Sequence, residues 1–91
     1  MPITIHLPAV LAELAEGRRT LEAGGATLGN AVAEVAARYP ELGRRLRDDR
    51  GQPYPFVTFY LNDEDVRFRG GFSAPIGDGD EITVVPAIAG G

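Results

Sequence analysis

The residues of this chain that could do chemistry lie at its end. Ile88-Ala89-Gly90-Gly91 follows directly on a strand-like run and Pro86. A terminus without side chains is a poor ordered element and a good thread for a narrow channel, because glycine has no Cβ to meet the channel wall. The plain alternative is a frayed tail. Extended, the residues from Pro86 onward reach roughly 20 Å. That is enough to carry a terminal carboxylate off the domain and into another protein's active site. On this reading residues 1–86 form the domain and 87–91 a flexible tail whose reactive group is the Gly91 carboxylate.

Little else in the chain invites chemistry. Cysteine is absent, so there is no thiol nucleophile, thiolate metal site or disulfide. The one histidine, His6, alternates with Ile5 and Leu7 in a strand-like run and has no carboxylate near it in sequence to orient it, which favours a half-exposed strand residue over a general base. No glycine loop has phosphate-binding spacing. Asp63-Glu64-Asp65 lacks the glycine and the distant glutamate of a calcium loop, so it reads as a solvated turn, and no metal site is expected. A self-sufficient enzyme is therefore not expected, nor a bound cofactor.

Composition bounds the rest. The 91 residues carry nine basic and thirteen acidic side chains, a net charge of −4, and all nine basic residues are arginine. An acidic chain makes a poor nucleic-acid ligand. No apolar run approaches a membrane span and no basic-then-apolar leader opens the chain, so no membrane role and a cytoplasmic location are expected. The absence of lysine removes every internal amine that could accept an isopeptide bond, leaving only the N-terminus.

The positioning elements follow from periodicity. Ile3, Ile5 and Leu7 alternate with Thr4 and His6 in a half-buried strand stopped by Pro8. Ala9–Glu16 holds a helical turn or two, and Arg18–Ala23 a second strand. Thr27 reads as an N-cap, with Leu28, Ala31, Val32, Val35 and Tyr39 on one helical face and Pro40 ending the helix. Glu41–Asp48 is a short helix whose neighbouring arginines, Arg44, Arg45, Arg47 and Arg50, read as a solvated face more than a binding patch. Phe56–Leu61 is the strongest strand, Val66–Arg69 a short returning one, and Glu81–Val85 the last, ended by Pro86. Strands flanking one long helix predict an α+β layer, a mixed four- to five-stranded sheet packed on one main helix, with the first and last strands as neighbours. Alternation then puts Val57, Phe59 and Leu61 against the helix, and Phe56, Thr58 and Tyr60 on the open face with Val85 nearby. Exposed aromatics on an uncovered sheet are candidate docking anchors.

Three features together carry a resemblance: the order of elements, the stretch Asp78-Gly79-Asp80-Glu81-Ile82-Thr83-Val84-Val85-Pro86, and the end Ala87-Ile88-Ala89-Gly90-Gly91. Over essentially the whole chain the sequence resembles the ThiS/MoaD superfamily of ubiquitin-like sulfur carriers. Asn62-Asp63-Glu64-Asp65-Val66-Arg67-Phe68 is most similar to its CysO branch. The resemblance implies a β-grasp fold and a Gly91 carboxylate adenylated by an E1-like enzyme that consumes ATP, then converted to a thiocarboxylate. It implies sulfur delivery for cysteine biosynthesis, through a pyridoxal-phosphate-dependent cysteine synthase and a metal-dependent peptidase that releases the product. Other acceptors of the same chemistry are a thiosugar synthase or another secondary-metabolite enzyme, the molybdopterin precursor and the thiamine thiazole. A protein modifier attached through Gly91 is the alternative outside sulfur chemistry. The contacts implied for partners are Ala87, Ile88, Ala89 and Gly90 of the tail and Phe56, Thr58, Tyr60 and Val85 of the sheet.

Overall fold

The computed structural model describes residues 2–86; Met1 and 87–91 lie outside it, and with them the tail positions Ala87, Ile88, Ala89, Gly90 and Gly91. Five strands form one mixed sheet: β1 (Ile3–His6), β2 (Thr20–Ala23), β3 (Val57–Leu61), β4 (Glu64–Asp65) and β5 (Glu81–Pro86), in the order β2-β1-β5-β3-β4. The first and last strands are parallel neighbours at its centre, with Ile5 opposite Ile82 and His6 opposite Thr83. The remaining strand pairs are antiparallel.

Helices cover one face. α1 (Ala9–Ala12) and a 3₁₀ turn (Glu13–Ala15) follow β1; α2 (Leu28–Arg38) and α3 (Pro40–Leu46) follow β2. Thr27 caps α2 reciprocally with Asn30: the Asn30 N–H donates to Thr27 Oγ1 and the Thr27 N–H donates to Asn30 Oδ1, both at 3.2 Å. Each satisfies an orphan donor of the first turn. Leu28, Ala31, Val32 and Val35 are buried against Ile3, Ile5, Phe59, Leu61, Ile82 and Val84 from the sheet. The alternation expected for β1, β3 and β5 is thus the one that packs the core. Tyr39, expected on the buried face of the helix, is its half-buried C-cap, at φ −132°, because Pro40 excludes the helical region for the residue before it. Pro40 also begins α3 at the first helical position, where a missing N–H costs nothing.

Several boundaries differ from the sequence reading: β2 begins at Thr20 and not Arg18, and α3 spans Pro40–Leu46 and not Glu41–Asp48. Phe56 is outside β3: the Val57 N–H donates to the Tyr54 carbonyl at 3.1 Å, closing a turn over Pro55 and Phe56, and proline favours the second place of such a turn. The returning strand is Glu64–Asp65, and Val66–Phe68 forms a 3₁₀ turn capped by the Asp65 side chain. Asn62 and Asp63 make a two-residue hairpin loop at φ +48° and +77°, so the pairing Leu61–Glu64 starts directly after it and is spent within two residues. Pro86 does not stop β5 short but is its last paired residue, opposite Val57.

Candidate functional site

The candidate site is the end of β5 and the open sheet face beside it. β5 alternates, with Ile82 and Val84 buried and Glu81, Thr83 and Val85 exposed. Its neighbour β3 holds Thr58 opposite Val85 and Tyr60 opposite Thr83, both half-buried. Val85 is 44% exposed, well above a core valine, and Phe56 is 62% exposed. The Phe56 ring meets Tyr54 edge to face, with centroids 5.7 Å apart. Thr58, Tyr60 and Val85 therefore share one patch. Phe56 stands at its border, presented by the turn before β3 and not by the strand.

The last residues of β5 are paired on one side only, since the β1 ladder ends at Thr83. Pro86 pairs with Val57 on β3. On the other side a shallow groove of about 290 Å³ runs between β5 and the β1 exit, lined by His6, Leu7, Pro8, Arg19 and Thr83 through Pro86. Arg19 braces it, its Nε donating to the Leu7 carbonyl at 2.8 Å.

His6 has the carboxylate partner that its sequence neighbourhood lacks. Its Nε2 lies 2.6 Å from Glu81 Oε1 across the parallel β1–β5 register. Sequence reasoning missed Glu81 because the two residues are 75 positions apart and no local pattern joins them. The pair lies exposed, and the residues opposite His6 on the neighbouring strands are Thr20 and Thr83.

The acidic stretch after β3 is consumed by structure. Glu64 pairs with Arg69 at 2.6 Å and Asp65 with Arg67 at 2.6 Å. The Arg67 guanidinium, followed by its backbone N–H, holds the Asp65 carboxyl below the ordinary carboxylate value. Among the described residues no group of three or more acidic or histidine side chains is arranged to hold a metal ion. Nor is any described helix long and apolar enough to cross a membrane.

A helix-covered mixed sheet with parallel first and last strands defines a ubiquitin-like β-grasp domain. The comparisons with known proteins then give the family: residues 5–91 match the ThiS family, and the chain belongs to it. It is a homologue of the sulfur carrier protein CysO of Mycobacterium tuberculosis, 41% identical over 93 aligned positions that cover all of both chains. The crystal structure of that CysO superposes with a TM-score of 0.86 at 39% identity, covering 94% of this chain and 99% of that one. A chain of the BexX/CysO complex of Amycolatopsis orientalis superposes at 0.89 with 38% identity, covering 98% and 99%.

Proposed function

We propose that this protein carries sulfur as a thiocarboxylate on Gly91, for use in cysteine biosynthesis. The observation that supports it best is the 41% identity to CysO, which runs through the whole chain including the glycine end. In the proposed cycle an E1-like enzyme binds the open sheet face and takes residues 87–91 into its ATP site. A Gly91 carboxylate oxygen attacks the α-phosphorus, pyrophosphate leaves, and an acyl-adenylate forms. A sulfide-level donor then attacks the carbonyl carbon and expels AMP, leaving the thiocarboxylate. Adenylation is required because a free carboxylate is a poor electrophile. The thiocarboxylate is an anionic nucleophile at neutral pH, and a second enzyme can accept it in a closed pocket away from water.

The fold supplies the carrier's share of this chemistry. β5 is paired to β1 as far as Thr83 and to β3 as far as Pro86, which supports a domain that docks as one body with only the last residues entering a channel. The acceptor proposed is a pyridoxal-phosphate-dependent cysteine synthase, with a metal-dependent peptidase to release the product. One observation favours a second reading, in which the carrier also serves another acceptor: the CysO of Amycolatopsis orientalis forms a complex with BexX.

The test is intact-protein mass spectrometry after incubation with ATP, a sulfide source and an E1-like enzyme from the same genome. Products are trapped with a thiol-alkylating reagent, since exchange of oxygen for sulfur resembles oxidation of Met1 in nominal mass. The chain has no cysteine, so one alkyl adduct mapped to Gly91 establishes the thiocarboxylate. No adduct with an active enzyme overturns the reading.

A further inference from the structure

Two acidic side chains of the open face have different partners. Asp65, opposite Tyr60, is paired with Arg67 at 2.6 Å, and an arginine keeps its charge at any working pH. Glu81 is paired with His6 at 2.6 Å, and His6 is its one ion-pair partner among the described residues. A histidine changes charge roughly between pH 5 and 8. With a neutral imidazole the pair carries one net negative charge; with an imidazolium it carries none. The side chains of His6 and Glu81 are 38% and 61% exposed, so water shares in solvating the carboxylate of the free carrier.

The place of the pair decides what happens when the carrier is held. The groove that Pro86 lines at the root of the tail is lined by His6 as well. A protein that takes in residues 87–91 must close around Pro86, and so reaches His6. Glu81 lies on the same face as Val85, four residues back along β5, or about 13 Å. A standard interface of about 800 Å² per partner has a radius of about 16 Å, so one centred on Val85 covers Glu81 too.

Covering the pair takes water from the Glu81 carboxylate. A carboxylate bonded only to a neutral ring then becomes a buried charge without compensation, whereas an imidazolium–carboxylate pair has no net charge to bury. Thr20 and Thr83 stand opposite His6, Glu22 adds a second acid from β2, and Tyr60 lies a strand further away on β3. Arg19 on the groove wall is the opposing cation, and its Nε is turned to the Leu7 carbonyl. We infer that docking of the enzyme that receives the tail draws a proton from solvent onto the His6–Glu81 pair, so that the carrier is held more tightly as pH falls. This rests on the carrier reading above. The sign follows from linkage: where the bound state holds more protons than the free one, affinity rises as pH falls.

The experiment is titration calorimetry of the carrier into the E1-like enzyme, without ATP, in buffers of small and large ionisation enthalpy (phosphate and Tris). The dependence of the binding heat on that enthalpy counts the protons taken up. Wild type is expected to take up about half a proton or more at about pH 7.5, and its Kd to rise about threefold per pH unit above neutrality. His6→Gln keeps a hydrogen-bond donor for Glu81 that does not titrate, and Glu81→Gln removes the charge. Each is expected to lose that uptake and to flatten the pH dependence, with circular dichroism confirming that it is folded. Uptake that is absent in wild type, or equal in wild type and His6→Gln, overturns this inference alone, provided the wild-type carrier forms thiocarboxylate. Absence of thiocarboxylate on the wild-type carrier overturns the carrier reading and this inference with it.

Discussion

The side chain of Asn62 clamps the β3–β4 hairpin to the entry of β5 through Asp80. Asn62 Nδ2 donates to Asp80 Oδ1 at 2.9 Å, while Asn62 Oδ1 accepts the Glu81 N–H at 2.9 Å and the Asn62 N–H donates to the Glu81 carbonyl at 2.8 Å. Asp80 Oδ2 in turn accepts the Gly77 N–H at 2.8 Å. The clamp sets where β5 begins, and hence where its other end releases the tail.

That clamp gives the stability curve an acid limb. The Asn62 amide, then the Gly77 N–H, hold the Asp80 carboxyl below its usual 3.8. A carboxyl with a lowered folded pKa stabilises the fold above the unfolded value and loses that contribution as pH falls through the folded one. Asp65, lowered by Arg67, acts in the same direction. Thermal melts from pH 7 to pH 2 are expected to show Tm falling below about pH 4, and a shallower fall for Asp80→Asn.

Gly43 of α3 packs tightly on Ala36 of α2. A Cβ there would stand 2.5 Å from the Ala36 Cβ and 2.9 Å from the Ala36 Cα, which is backbone and does not yield cheaply. Gly43→Ala is expected to cost about 1–3 kcal/mol by overpacking. In a domain of this size that lowers Tm by about 4–8 °C per kcal/mol, read by calorimetry.

Val85 and Phe56 are exposed and contribute little to the core, so their replacement separates docking from folding. Val85→Asp and Phe56→Ala are expected to keep Tm within a few degrees and to weaken binding of the activating enzyme by more than about 1 kcal/mol each, as anchor residues do. Titration calorimetry with that enzyme gives the comparison.

Gly91→Ala places a methyl group where the tail must thread a channel. Thiocarboxylate yield is expected to fall by at least tenfold, roughly 1.4 kcal/mol in activation terms, with melting unchanged. A near-normal yield in the alkylation and mass-spectrometry assay would refute the channel argument.

Much of this architecture was legible before folding because it is local. The apolar alternation in Ile3–Leu7 and Val57–Leu61 states which side of each strand is buried, and Thr27 marks the start of α2. Proline at 40 and the bare end at Gly90-Gly91 are equally local statements. The tail remains a matter of sequence alone, since 87–91 lies outside the described residues.

Tertiary structure decided what depends on pairing between distant segments. Period-two alternation tells which face a residue takes but not which strand lies beside it, because backbone hydrogen bonds carry no residue identity. Only the fold brings Glu81 to His6 and Asp80 to Asn62. The turn closed by Tyr54 and Val57 takes Phe56 out of the strand its composition favours.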